Sequence, residues 1–246
     1  MVFWTITQVG DIGSTQRAAV DLAARGAPEG STIVARSQTS GGGRLGRTWI
    51  SPVGGLYMSF VLRPKNLPRP ELITLISAVS VVRGVKNATG LEPTIRWPND
   101  VMINRKKLAG VIAQAQSYGK ELAQIVVGIG VNCNTSLSQL EALNGEATSI
   151  AEELGRNQDI PDLRDSILDS FSNLYEEWKG GADMAKTWGA HLGTVGKQIT
   201  LKLKTAETPF SCLATGAGDD GTLVVTGRNE TTVIYAEELE WLRETS

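Results

Sequence analysis

The apolar positions change period several times along the chain, and the order of those changes sketches the architecture. Ser14 and Thr15 can cap a helix whose apolar positions Ala18, Ala19, Leu22 and Ala23 recur at helical spacing before Gly26 stops it. Thr32 to Ser37 and Leu56 to Leu62 read as strands, and the glycine-rich segment between them favours mobile loop over regular structure. Pro70, at a first helical position, opens a helix with Leu72, Leu75, Ile76 and Val79 on one face, and Gly90 fits its end. From Thr94 to Asn132 the pattern shortens into β-rich runs, with Lys107 to Gln116 and Glu121 to Val131 forming an antiparallel pair joined near Gly119. Pro161 then starts an amphipathic helix that turns Leu163, Ile167, Leu168, Phe171, Leu174 and Trp178 inward, and a shorter helix runs toward His191.

Past Gly193 the periodicity becomes that of short strands, Gln198 to Lys204, Phe210 to Thr215, Thr222 to Thr226 and Thr231 to Tyr235, with Asp219-Asp220-Gly221 as a tight turn. A large mixed α+β domain over residues 1–192 followed by a small β-barrel over 193–246 is therefore expected. No repeat is visible, and residues 1–13 are too few to house a helix-turn-helix, so a DNA-binding repressor role is not expected.

Composition narrows the class. With 24 Lys plus Arg against 26 Asp plus Glu, the net charge of −2 supplies no broad positive field for nucleic acid or anionic membrane, so any phosphate recognition has to be local. Cys133 and Cys212, the only cysteines, lack metal-ligand spacing, and no basic segment followed by an apolar run opens the chain; a cytoplasmic setting is expected. The longest apolar stretch, around Ile125 to Val131, falls far short of the roughly 20 residues that span a bilayer.

One segment stands out chemically. Gln38-Thr39-Ser40-Gly41-Gly42-Gly43-Arg44-Leu45-Gly46-Arg47-Thr48-Trp49 joins backbone freedom, two fixed cations and an aromatic face. Consecutive glycines let backbone N–H groups approach a phosphate without Cβ clashes, Arg44 and Arg47 can add charge-assisted bonds, and Trp49 could stack on a base. A flexible surface loop with incidental arginines has the same composition, so the segment needs support from elsewhere.

That support comes from Arg96-Trp97-Pro98-Asn99-Asp100, Lys107-Leu108-Ala109-Gly110 and Gly128-Ile129-Gly130-Val131-Asn132, together with Gly13-Ser14-Thr15 and Ser51-Pro52-Val53-Gly54-Gly55-Leu56-Tyr57. In this order the series resembles the biotin protein ligases, of the type without an N-terminal DNA-binding domain. The likeness is dense over residues 13–132 and continues weakly through Ala147-Thr148-Ser149-Ile150 and Asp220-Gly221-Thr222-Leu223. It implies a fold related to class II aminoacyl-tRNA synthetases, a mixed sheet with flanking helices, joined to a small SH3-like barrel. It also implies an activity: ATP-dependent formation of biotinyl-5'-AMP, then transfer of biotin to a lysine of a biotin carboxyl carrier protein or domain. Mg²⁺ goes with that reading, and so does either a monomer or a homodimer.

The resemblance carries roles to matching residues. Lys107 and Arg44 would hold the carboxylate and α-phosphate, where fixed cations meet developing charge, with Asp100 beside them orienting Mg²⁺ or the attacking lysine. Arg47, Trp49, Asn99 and Asn132 would serve ATP, together with Arg44 and Lys107. Biotin, a polar ureido ring on an apolar body, would meet Ser14, Thr15, Gln16, Gln38, Gly42, Gly43, Arg44 and Lys107, with Trp97, Gly110 and Ile112 as wall. The residues alone also allow a solvated strand lysine at 107, a turn cap at Asp100, turn chemistry at Asn132 and plain core packing at Ile112. His191 has no neighbouring ligand pattern and is read as structural.

Four positions depart from the family's habit: Gly42 where Arg is usual, Gln16 for Asn, Arg96 for Lys, and Gln114 for an acidic residue. Loss of the loop arginine would weaken ligand binding by about 1–3 kcal/mol. Two rivals share much of the pattern: a lipoate-type ligase, and a catalytically weak biotin-binding protein.

Overall fold

The structure, a computed structural model, describes residues 2–64, 69–118, 121–136, 138–140, 145–227 and 230–244. Its central feature is a seven-stranded sheet in the order β1-β2-β3-β7-β6-β5-β4. The strands are β1 (Thr5–Ile12), β2 (Ser31–Gln38), β3 (Leu56–Leu62), β4 (Thr94–Arg96), β5 (Asp100–Ile103), β6 (Lys106–Tyr118) and β7 (Glu121–Val131). Only the β1–β2 pairing is parallel, which makes the sheet mixed. The turn expected near Gly119 lies outside the described residues, but the antiparallel β6–β7 register on either side of it is as anticipated.

Alternation along the strands assigns the two faces. Ile33, Val61 and Val126 point to one side, where they pack with Ala19 and Ala23 of helix α1 (Thr15–Ala24). Their neighbours Val34, Phe60, Leu62, Ile125 and Val127 point to the other, into the main core with helices α2 (Ile73–Thr89) and α4 (Ile160–Lys179). A strand covered on both faces needs apolar residues at every position, which is why β3 and β7 read as continuous hydrophobic runs. Pro70 heads a short 3₁₀ turn before α2, and Gly90 closes that helix at φ 78°, a left-handed position suited to glycine. All six residues expected on the inner face of α4 are buried. Asp159 caps this helix by accepting from the Asp162 N–H. The shorter helix toward His191 is α5 (Met184–Gly189).

Three elements were not foreseen. β1 is an edge strand whose positions are exposed or half-buried, so its sequence shows little apolar signal. Helix α3 (Ile150–Leu154), capped by Ser149, is too short for a helical period to show. β12 (Leu239–Glu244) pairs with the strand Gln198–Leu203 across a bulge between Leu239 and Trp241 that breaks its alternation.

The last strand belongs to a second, wholly antiparallel sheet of order β11-β10-β9-β8-β12, formed by β8 (Gln198–Leu203), β9 (Phe210–Ala217), β10 (Leu223–Thr226), β11 (Thr231–Ile234) and β12. Its inner residues Ile199, Leu201, Leu223 and Val225 join the main core cluster, so apolar packing runs unbroken between the sheets. Trp97 pins the junction: its backbone N–H donates to Thr194 Oγ1 (2.9 Å) and its indole to the Gly221 carbonyl (3.0 Å).

Candidate active site

A cavity of about 470 Å³ opens on the α1 face of the large sheet. Its floor follows from strand parity. Gly128 and Gly130 share a face with Val126, and their partners across β6 are Ile112 and Gly110, so between β6 and β7 this strip carries no side chain larger than Ile112. The run Gly-Ile-Gly thus makes a hollow in an otherwise packed surface.

At one end the start of α1 enters. Ser14 Oγ caps the helix by accepting from the Arg17 N–H, and the Thr15 N–H and hydroxyl both donate to Gln38 Oε1 (2.8 and 3.1 Å). Thr15 Oγ1 lies 2.9 Å from Ser59 Oγ, while Gln38 Nε2 donates to Ser51 Oγ (2.9 Å). Gln16 donates from Nε2 to the Val126 carbonyl (3.1 Å) and leaves its Oε1 buried with no partner.

The glycine-arginine segment is not the irregular chain its composition suggests. Bridges Gln38–Ser51 and Gly42–Thr48 close it at two levels, and a 3₁₀ turn at Arg44–Gly46 reverses it through positive φ at Leu45 (57°) and Gly46 (73°). Tertiary contacts account for this order. Arg44 donates to Asn99 Oδ1 (3.3 Å) and to the Ala236 carbonyl, and Arg47 to the Glu240 carbonyl, so the second sheet's last segment grips both arginines. Trp49 folds onto the glycine floor with Lys107 Nζ 5.2 Å from its ring centroid, and its Nε1 is buried without a partner.

Lys107 and Arg44, far apart in sequence, line the same cavity. Lys107 Nζ meets Asp100 Oδ1 at 2.6 Å, and Arg96 meets Oδ2 at 2.9 Å. Burial pushes the Asp100 carboxyl upward, but Lys107 and Arg96 outweigh it and hold the group below the ordinary carboxylate range. Burial likewise draws the Arg44 guanidinium down, with Asp100 opposing. The backbone of Lys107 is pinned from both sides: its N–H donates to the Glu146 carbonyl (2.8 Å), and its carbonyl accepts from Thr148 (3.0 Å). Asn132 braces the same strip by donating from Nδ2 to the Thr148 carbonyl (3.0 Å).

Each expected residue therefore lies at the cavity, but several are committed. Asn99 spends Nδ2 on the Val111 carbonyl and Oδ1 on Arg44. Asn132 Nδ2 is engaged, and the Trp97 indole is fixed at the junction. Asp100 does not suit a resident divalent cation, since each of its oxygens already faces a fixed positive charge, and no group of three His, Cys, Asp or Glu gathers among the described residues. His191 lies off the cavity, and burial depresses its imidazole. Unanticipated were the second sheet's contributions, Leu239 to Arg243 along the cavity rim and the Ala236 and Glu240 carbonyls. The short Leu-Glu-Trp-Leu-Arg run marks a strand end; its meeting with the loop is tertiary.

Comparison with known proteins places this geometry. The defining pattern of the Biotin/lipoate A/B protein ligase family matches residues 11–132. The Bifunctional ligase/repressor BirA of Bacillus subtilis (strain 168) is 32% identical over 93% of this chain and 71% of its own length. The Biotin--[acetyl-CoA-carboxylase] ligase of Paracoccus denitrificans is 30% identical over 84% of this chain and 88% of its own. Among solved structures, biotin protein ligase from Aquifex aeolicus in complex with biotin and ATP superposes with a TM-score of 0.84 at 26% identity, covering 99% of this chain and all of that one.

Proposed function

The chain belongs to the biotin/lipoate A/B protein ligase family, and we propose that its glycine-floored cavity is where biotin is joined to AMP. It acts as a biotin protein ligase. In the first step a biotin carboxylate oxygen attacks the α-phosphorus of ATP and pyrophosphate leaves, giving biotinyl-5'-AMP. In the second, the ε-amine of a carrier lysine attacks the acyl carbon, a C–N bond forms and AMP departs.

The observation that carries this reading is the convergence of Lys107 and Arg44 on one hollow beside the glycine strip of Gly110, Gly128 and Gly130. Two anions must meet in the first step, and fixed cations aimed at their junction lower its barrier. In our reading Lys107 spans the carboxylate and phosphate, while Arg44 holds the adenylate. Asp100 orients Lys107 and is poised to receive the incoming lysine. Asn99 acts through Arg44, and Arg47 and Trp49 serve the nucleotide. Asn132 offers adenine its Oδ1. The loop over 38–49 covers the anhydride and keeps water from it. Any Mg²⁺ used would come with ATP rather than from a site on the protein, since both Asp100 oxygens already face cations. Residues 1–192 form the ligase unit, and 193–246 supply the clamp on the loop.

No described helix is long and apolar enough to cross a membrane. The partner is a biotin carboxyl carrier protein or domain. Biotin-driven exchange of pyrophosphate into ATP, and ATP-dependent labelling of a carrier domain, test the assignment. Lys107→Ala should lower both by at least about a hundredfold. Exchange driven equally by lipoate, or unaffected by this substitution, would overturn it.

A further inference from the structure

Asp100 and Lys107 sit on one β-hairpin, and the free end of that hairpin is awkward by sequence. Ile103 pairs with Lys106, so β5 and β6 are joined by Asn104 and Arg105 alone, at φ 47° and 66°. A two-residue turn with both central φ values positive favours Asn followed by Gly, and here Arg105 holds the glycine position. One step further the register shifts: Val101 faces Ala109 while Met102 faces Lys107, so Leu108 is an extra residue on β6. A bulge of this kind re-aims the side chain beside it, here that of Lys107, and interrupts the ladder that would hold it. The hairpin therefore turns Lys107 toward the cavity without fixing it there.

What fixes it comes from another element. Glu153 of α3 accepts from Asn104 Nδ2 at Oε2 (2.8 Å) and from the Thr148 hydroxyl at Oε1 (2.6 Å). Thr148 in turn donates its N–H to the Lys107 carbonyl (3.0 Å). One carboxylate thus ties the turn that precedes Lys107 to the strip that runs beside it. Helix capping does not account for this, because Ser149 caps α3 by accepting from the Glu152 N–H, and Glu152 holds the place from which a capping glutamate reaches back. Glu153, one residue on, sends both oxygens sideways instead. None of Asn104, Thr148 and Glu153 lines the cavity. We propose that Glu153 is a positioning residue that acts through Asn104 and Thr148 to hold Lys107 Nζ at the reacting junction. The inference rests on the ligase reading above and extends it to a side chain that touches no substrate. A lysine that must span a carboxylate and a phosphate tolerates little error, since a misplacement of roughly 1 Å costs about a hundredfold.

The test follows biotin-driven pyrophosphate exchange in the full chain at saturating ATP. Glu153→Ala should lower kcat at least about tenfold while KM for biotin moves less than about threefold, because the polar cluster at the start of α1 is not joined to this brace. Glu153→Gln should recover kcat to within about threefold of wild type, since its Oε1 still accepts from Thr148 and the Asn104 amide can turn over to accept from Nε2. Asn104→Gly separates position from stability. Glycine suits φ 47° better than asparagine, so melting should not fall, yet loss of the tie should lower kcat by about threefold or more. In a Lys107→Ala background Glu153→Ala should cause no further loss, because its effect passes through the lysine. Losses of equal size in both backgrounds, a wild-type kcat in Glu153→Ala, or Glu153→Gln as impaired as Glu153→Ala would overturn the proposal. Should circular dichroism show Glu153→Ala unfolded, Asn104→Gly decides, and a wild-type kcat there overturns it. Absence of biotin-driven exchange in the unsubstituted chain would instead remove the ligase reading and this inference with it, and is recognisable because no variant is involved.

Discussion

Gly130→Ala separates activity from stability and so tests whether the floor of the cavity is there for function. The backbone at Gly130 lies outside the left-handed region, so alanine fits its conformation. The new methyl would stand 2.6 Å from Trp49 Nε1 and 2.7 Å from Cε2, and the indole must retreat by about 0.8 Å to reach 3.4 Å, where ordinary van der Waals contact begins. Because Trp49 sits on the loop rather than in the core, the ring can move without disturbing the sheet. Replacing a strand glycine restricts the unfolded chain and returns about 0.4–1 kcal/mol, roughly 1–4 °C in a protein of this size, which offsets the strain of the moved ring. Melting should therefore stay within a few degrees of wild type. Catalysis should respond quite differently, since Lys107 Nζ lies 5.2 Å from the centroid of the displaced ring. A misplacement approaching 1 Å costs about a hundredfold at worst. We expect kcat/KM for biotin-driven exchange to fall tenfold to a hundredfold, about 1.4–2.8 kcal/mol. The movement can be followed by ¹⁹F NMR of 5-fluorotryptophan protein, in which Trp49→Phe identifies one resonance among the six tryptophans. An unmoved Trp49 resonance with unimpaired exchange would refute the reasoning.

Two further outcomes follow from the same geometry. Arg44→Gly removes the bonds to Asn99 and the Ala236 carbonyl and should release biotinyl-AMP at least about tenfold faster, read as adenylate in solution and as labelling of non-carrier lysines; unchanged retention would remove the covering role of the loop. Asp100 has a depressed carboxyl pKa, so its stabilising contribution is complete above the ordinary unfolded value of about 3.9 and is lost as pH falls through the lower folded value. The difference in melting temperature between wild type and Asp100→Asn should stay constant from pH 7 to about 4 and shrink only below that, and a gap already closing between pH 7 and 5 would contradict the ion-pair account.

How much of this was legible beforehand depends on where each signal resides. Helices α1, α2 and α4 and strands β2, β3, β6 and β7 announce themselves because their burial imposes a period, or a continuous apolar run, on neighbouring residues. The site motifs were equally plain, since glycines at 128 and 130, a lysine at 107 and arginines at 44 and 47 are spacings that local sequence displays. The sequence by itself determined which residues gather at the cavity and in what order the elements occur.

It could not determine what those residues do to one another. That Asn99 is spent on Arg44 and Val111, that Asp100 is flanked by two cations, and that Gln16 has one amide atom engaged and the other orphaned are facts about atoms brought together from distant segments. The clamp of Ala236 and Glu240 on the loop is the sharpest case, because it uses backbone carbonyls, which every residue possesses and no side-chain pattern can advertise. Periodicity records burial along one element; the partnering of hydrogen-bond groups between elements is decided only when the two sheets dock and the loop closes over the floor between them.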